Sequence, residues 1–383
     1  MSSYTDVPAG VGIGTYSLSG AYGKKNLDEF REMLLCAVEK GVRFFDTSET
    51  YGDETEQFLG NTLKEMRKEI FLCTKVGMKG SKKPDLSYES VRQSCEKSLK
   101  NLLTEYIDLY MIHFDDPQTP VEETVQALSD LQSEGKIRHY GVSHLPINRI
   151  REYCERGNPY VVMAEFSAVS TAAKETVFPI CRNNALKMIA FSVTGRGILT
   201  GSFDRERRFE HGDIRMMDPL FQREKLDCAL AISEKMEELS RKIGVTRVQL
   251  AIAWVLSHSE VWIALTGPST ISHMMENVQA QRIKLEADLK KEINEAIREQ
   301  QNSLRNKQEE SVRNLVSSRL PADPSQALSD MVYAVETAIE IGKISEEQVI
   351  ESVMTLLSMK DKASVRFREE LEQLRLLLVK HLG

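Results

Sequence analysis

The chain has few cysteines, and none of them is paired by sequence spacing. The six lie at positions 36, 73, 95, 154, 181 and 228, with no C-x-x-C. Such scatter excludes a disulfide framework, a zinc site and an iron–sulfur site, and leaves buried free thiols with no metal centre. Long apolar runs are also missing, because nothing approaches the ~18 residues of a membrane span. The start, MSSYTDVPAG, shows no basic-then-apolar leader. These two absences predict a soluble cytoplasmic protein with no membrane partner. Basic stripes are absent too: acids and bases alternate and the net charge is −7, which argues against nucleic acid as a partner. Finally, no G-x-G-x-x-G follows the first apolar run. GVGIG comes nearest, but it lies inside a strand pattern and does not open a helix.

What is present is alternation. Eight short apolar runs read as strands: 11–15, 42–46, 69–76, 107–113, 139–143, 159–166, 186–192 and 261–267. Several are apolar almost throughout, as parallel strands covered on both faces should be. Amphipathic helix patterns lie between them, at 26–40, 88–103 and 121–135, the last closed by Gly135. Thr246 and Gln249 form a T-x-x-Q capping box ahead of another helix. Eight strands separated by helices predict an α/β protein, a (β/α)8 TIM barrel, over 1–283; an open doubly wound sheet is the structural rival. A charged helical connector follows over 284–320. Pro321 and Pro324 then interrupt the pattern, and a small all-α C-terminal extension fills 321–383. Its second helix opens on Ser345-x-x-Gln348 after Gly342. Its last, SVRFREELEQLRLLLVKHL, has an apolar face suited to packing on its own barrel, on a twin subunit or on a partner; packing on self or a twin is the ordinary reading, so a homo-oligomer through these helices is an expectation.

Barrel active sites collect side chains from the C-terminal ends of strands. Four titratable residues fall there: Asp46 and Tyr51 after the second run, Lys75 near the end of the third and His113 at the end of the fourth. Singly, each has an ordinary explanation: a turn aspartate, a packing tyrosine, a snorkelling lysine, a rim histidine. Together they form a metal-free carbonyl-reducing site. A phenol with an unperturbed pKa near 10 suits protonation of an alkoxide formed by hydride transfer. A neighbouring ammonium stabilises the phenolate left behind, a carboxylate keeps that ammonium charged, and an imidazole orients the carbonyl.

The motif GVRFFDTSETYG, followed by Glu56 and Leu59-Gly60, resembles the signature of the aldo-keto reductases around their catalytic tyrosine. S-x-E-x-S-L at 94–99 with EYIDLYMIH resembles the second signature of that family, and GKIRHYGVS and AFSVTGRGILTGSF are similar to later segments. The resemblance runs over residues 8–282. It implies an NAD(P)H-dependent reductase of an aldehyde, ketone or keto-sugar, with Tyr51 as general acid, Lys75 and Asp46 tuning it, and His113 orienting the carbonyl. The segment 201–225 resembles the branch holding bacterial general reductases and potassium-channel β subunits. It implies a loop over the cofactor, with Arg196 and Arg215 as phosphate candidates beside solvated-loop roles.

The same resemblance assigns cofactor positions and exposes departures. Ser143 is retained at the carboxamide, His144 replaces its asparagine partner, and Met163 stands where a glutamine is expected. Phe191 keeps an aromatic stacking face, while Ser192 and Gly195 belong to the phosphate-binding stretch. Gly267, Ser269, His273, Glu276 and Asn277 fall in the adenosine-phosphate segment; Glu276 and Asn277 match the adenine contacts. His273 stands in place of the arginine expected on a 2′-phosphate, and a neutral imidazole is the weaker ligand. The expected cofactor is thus NADPH or NADH, with NADPH slightly favoured by the resemblance. Alternative functions are a cofactor-sensing regulatory or scaffold barrel and a cofactor-retaining lyase-type enzyme with no net redox turnover.

Overall fold

The computed structural model describes residues 7, 9–78, 83–203, 209, 213–216, 218–221, 223–359 and 361–382. Eight parallel strands close into a barrel in sequence order. They are β1 (Gly10–Gly14), β2 (Phe44–Asp46), β3 (Phe71–Val76), β4 (Ile107–Ile112), β5 (Ile137–Ser143), β6 (Val161–Glu165), β7 (Lys187–Phe191) and β8 (Val261–Thr266). The first six surrounding helices are α1 (Leu27–Glu39), α2 (Asp53–Leu63), α3 (Tyr88–Asn101), α4 (Val121–Ser133), α5 (Ile147–Arg156) and α6 (Ala173–Asn183). Two helices, α7 (Arg223–Lys242) and α8 (Arg247–Leu256), separate β7 from β8, and α9 (Ile271–Gln279) follows β8. The barrel expectation holds and the open-sheet rival does not. Strand ends differ from the sequence reading by a residue or two: β5 begins at 137 and His113 lies just past β4.

Local chemistry explains the boundaries. The Asn26 side chain accepts the amides of Asp28 and Glu29 to start α1, and Gly135 takes φ 74° just beyond α4. The Thr246–Gln249 capping box is formed, and it opens a helix whose residues 248–255 are all buried, matching its all-round apolar sequence. Gly60 lets α2 approach the backbone of Leu102: a Cβ there would sit 2.6 Å from the Leu102 carbonyl carbon.

Aromatic side chains plug the N-terminal end of the barrel. The Phe44, Phe71 and Tyr160 rings each lie within 5.8 Å of the Trp262 ring, and the indole N–H donates to the Val7 carbonyl at 3.0 Å. His139 stacks on Tyr160 at 4.0 Å. With that end filled, chemistry belongs to the C-terminal mouth.

The chain divides into two compact units, one of residues 1–221 and 229–296 and one of residues 222–228 and 297–383. Helix α10 (Ala287–Ser317) runs through the charged stretch. It is followed by α11 (Pro324–Glu340), α12 (Glu346–Ser358) and α13 (Val365–Leu382). Pro324 does not merely break a helix: it begins α11, capped by Asp323, a position where its missing N–H costs nothing. The second unit has its own core, in which Met331 and Ala334 of α11 cluster with Phe367, Leu371, Leu374 and Leu378 of α13. Within it Arg223 pairs with Asp330 at 2.6 Å and Lys225 with Glu340 at 2.5 Å.

Candidate active site

Three strand ends and one short turn bring the four titratable residues together. Asp46 is the last residue of β2 and Lys75 the fifth of six in β3; both are buried, at 2% and 1% exposure. The Lys75 ammonium lies 2.6 and 2.7 Å from the two Asp46 carboxylate oxygens, donates to the Thr47 carbonyl at 2.8 Å, and reaches the Tyr51 hydroxyl at 3.4 Å. Ser48 starts the 3-10 turn Glu49–Tyr51 by accepting the Thr50 amide, and this turn holds the phenol over the lysine. His113 is anchored by its amide, which donates to Val76 at 2.7 Å, and its ring meets the Tyr51 ring edge-to-face at 5.8 Å. Tyr16, in the turn after β1, closes on the other side with its ring 4.9 Å from that of Tyr51.

The electrostatics of the four follow from burial and from the Asp46–Lys75 ion pair. Burial pushes the Tyr51 hydroxyl up to about 12, with the Lys75 charge acting against it, so the phenol holds its proton at neutral pH. Burial alone would lower Lys75, but Asp46 first and Tyr51 second reverse that and leave it above its ordinary value. The Asp46 carboxyl is pushed up by burial and held back by the Lys75 ammonium. His113 falls well below its ordinary value through burial, then the Lys75 charge, then His144, and is therefore neutral.

The remaining positions form the rest of the mouth. Ser143 ends β5, buried, and pairs in register with Met163, whose side chain packs into the barrel core and offers no amide. His144 is exposed at φ 56°, with its ring 5.8 Å from the half-buried Phe191. Beyond Phe191 the backbone is left-handed at Ser192, Gly195, Arg196 and Gly197 (φ 53°, 58°, 51° and 104°), and the Gly195 and Gly197 amides donate to the Ser192 and Thr194 carbonyls at 2.8 and 3.2 Å, which folds the stretch into tight turns. Arg196 itself is engaged. Its fork spans Glu165 at 2.7 and 3.0 Å and its Nε meets Asp218 at 2.7 Å. Arg215 is likewise bidentate to Asp213, at 2.9 and 2.6 Å, and lies over the Tyr22 and Phe209 rings. Of the connection 201–225, residues 204–208, 210–212, 217 and 222 lie outside the described residues.

After β8, Gly267 is exposed and Ser269 partly so; Thr270 caps α9 by accepting the His273 amide. His273 is exposed on the first turn, Glu276 is half-buried and Asn277 is buried. A serine hydroxyl, an aromatic face, a left-handed turn and a capped helix N-terminus suit a nicotinamide dinucleotide, save for the amide that Met163 lacks. A concavity of about 470 Å3 at the opposite end, lined by Ala9, Lys187, His258 and Trp262 among others, gathers no such set.

Several residues of the site were not foreseen from sequence. The Thr47 carbonyl leaves no sequence signal, whereas Ser48 and Thr50, flanking Glu49 in SETYG, do. Both hydroxyls approach His113 Nδ1, at 3.0 and 3.1 Å. Glu49 accepts the amides of Gly77 and Met78 at 3.0 and 3.2 Å, tying the tyrosine turn to the loop after β3.

The chain is similar to known proteins in sequence and in fold. The profile described as "Aldo/keto reductase family" matches residues 10–298. The chain is 32% identical to aldo-keto reductase yakc of Schizosaccharomyces pombe, designated NADP(+), over 76% of this chain and 88% of that one. It is 30% identical to the NADH-specific methylglyoxal reductase of Escherichia coli, over 75% of this chain and 95% of that one. Among solved structures, a glycerol dehydrogenase of Gluconobacter oxydans superposes with a TM-score of 0.67 at 26% identity, over 75% of this chain and 90% of that one.

Proposed function

The chain belongs to the aldo/keto reductase family, and on that premise we propose that it reduces a small aldehyde, ketone or keto-sugar to the alcohol with Tyr51 as general acid. The carrying observation is the buried Asp46–Lys75 pair with the Tyr51 hydroxyl 3.4 Å from the ammonium. The nicotinamide dinucleotide supplies a hydride to the carbonyl carbon when bound. Tyr51 passes its proton to the carbonyl oxygen as negative charge develops there, and the ammonium stabilises the phenolate that remains. At an effective dielectric near 20, a unit charge at about 3.4 Å is worth roughly 5 kcal/mol before desolvation is subtracted. Asp46 keeps Lys75 charged for that task, and neutral His113 orients the substrate oxygen.

Ser143, Phe191, the 192–197 stretch and the start of α9 are the residues we assign to the dinucleotide. Among relatives, one carries the NADP(+) designation and one the NADH-specific name, and His273 leaves both nucleotides open to this chain. No helix among the described residues is long and apolar enough to cross a membrane. The assembled tetrad weighs against a barrel that only senses nucleotide.

Turnover of methylglyoxal and related carbonyls with NADPH and NADH tests this reading. Tyr51→Phe is expected to lower kcat by a hundredfold or more, on the order of a general-acid contribution, with nucleotide binding retained. Unchanged turnover in that variant would assign the proton elsewhere.

A further inference from the structure

We propose that Ser48 and Thr50 are positioning residues that set the tautomer of His113, a hydroxyl of this bonded pair donating to Nδ1 so that Nε2 carries the proton offered to the substrate oxygen. The inference deepens the reductase reading and rests on it for the role of Nε2.

Nδ1 holds both side-chain hydrogen bonds of His113 among the described residues, to Ser48 Oγ at 3.0 Å and Thr50 Oγ1 at 3.1 Å. The two hydroxyls also touch each other at 2.9 Å, so the three atoms form a closed triangle. Ser48 is fully buried and its oxygen already accepts the Thr50 amide at 3.2 Å, so its own proton must go to one of the other two corners. An imidazole nitrogen with a free lone pair is a stronger base than an alcohol oxygen, so the O–H···N arrangement is the better use of a hydroxyl proton. Partners that would demand the opposite tautomer, a carboxylate or a backbone carbonyl, are not bonded to Nδ1 among the described residues.

The ring is neutral in its buried setting, so one nitrogen only carries a proton. With Nδ1 turned into the Ser48–Thr50 turn, Nε2 faces away from it. A protonated Nε2 donates to a carbonyl oxygen, whereas a bare one would set a lone pair against it. No step of the reaction passes through the hydroxyls; they act only through the imidazole. The Phe114 ring at 4.2 Å and the Tyr51 ring at 5.8 Å restrict rotation of the imidazole, so tautomer and orientation are fixed together.

Nitrogen-15 NMR of histidine-labelled full-length protein tests the assignment, with His113→Asn identifying its signals. In the wild type, Nδ1 is expected in the unprotonated range and Nε2 in the protonated range. In the Ser48→Ala/Thr50→Val double variant, both signals should move toward the mixed values of a free imidazole. Carbonyl turnover should then fall about tenfold, the loss of one hydrogen bond's worth of alignment, with nucleotide affinity unchanged. Thr50→Ser, which keeps the hydroxyl, should restore the wild-type spectrum and rate. A wild-type spectrum with the proton on Nδ1 overturns the proposal, whether or not the variants fold. So does a double variant whose His113 signals match the wild type. An unprotonated Nδ1 in a protein without carbonyl turnover would uphold the tautomer assignment and overturn the reductase reading.

Discussion

In the proposed role of general acid, Tyr51 would have to keep its proton until the substrate oxygen needs it, and two opposed influences meet that requirement. Burial holds the phenol protonated, while the lysine beneath it makes the phenolate tolerable once formed. The arrangement depends on a buried ion pair, and breaking a buried pair leaves an uncompensated charge. Asp46→Asn is therefore expected to cost about 3 kcal/mol or more of stability, measured by urea denaturation. Some of that loss should return at high pH, where Lys75 gives up its proton. In the stretch proposed for the dinucleotide, the exposed His273 occupies the first turn of α9. If a 2′-phosphate docks there, His273→Arg should tighten NADPH about tenfold to a hundredfold through charge-assisted hydrogen bonds, with NADH little affected. Fluorescence titration with both nucleotides checks the assignment, and equal tightening of the two would remove it.

Secondary-structure elements set the geometry through close approaches and caps. Gly60 on α2 leaves no room for a methyl group against the Leu102 backbone, and neither partner is a flexible side chain that can swing away. Gly60→Ala is expected to cost about 2 kcal/mol or more, read as a lower thermal midpoint, because α2 or the 102–103 turn must shift. In α13, Phe367, Leu371, Leu374 and Leu378 recur at helical spacing, and all are buried in the core of the second unit. Truncating Phe367 to alanine should cost roughly 3–5 kcal/mol in that unit, seen as faster amide exchange in α11 and α13. Helix starts were largely legible because caps are local: Asn26, Thr246 and Ser345 each mark one, whereas Pro324, read as a break, begins α11. Strand ends were less so, since the register of β5 against β4 extends the ladder to Ile137.

At the scale of the whole molecule, acid should be the vulnerable side of the stability profile. His258, in the barrel-containing unit, is lowered to about 4 by burial, with Lys174 and Lys290 adding to the effect. His113 is lowered as well. A histidine depressed in the folded state lets the unfolded chain take up protons first as pH falls. The stability contribution is thus whole above the ordinary value of 6.5 and is lost progressively down to about 4 for His258. That window corresponds to about 3 kcal/mol for a fully effective shift, and less where solvent reaches the ring. Denaturant midpoints measured across this range should fall less steeply in His258→Gln. An unchanged slope would mean that other groups control the acid limb.

By itself the sequence pointed to the barrel over an open sheet, through eight apolar runs alternating with amphipathic helices, and it marked Asp46, Tyr51, Lys75 and His113. Local pattern suffices for these, because strand ends in a closed parallel barrel have only one mouth to share. Only the tertiary structure decided how side chains from different strands pair. It placed the Thr47 carbonyl on the lysine, the Ser48 and Thr50 hydroxyls on the imidazole, and Arg196 on Glu165 and Asp218. Such pairings join positions up to 65 residues apart, and their hydrogen bonds are set by distances of a few ångströms that no local periodicity encodes.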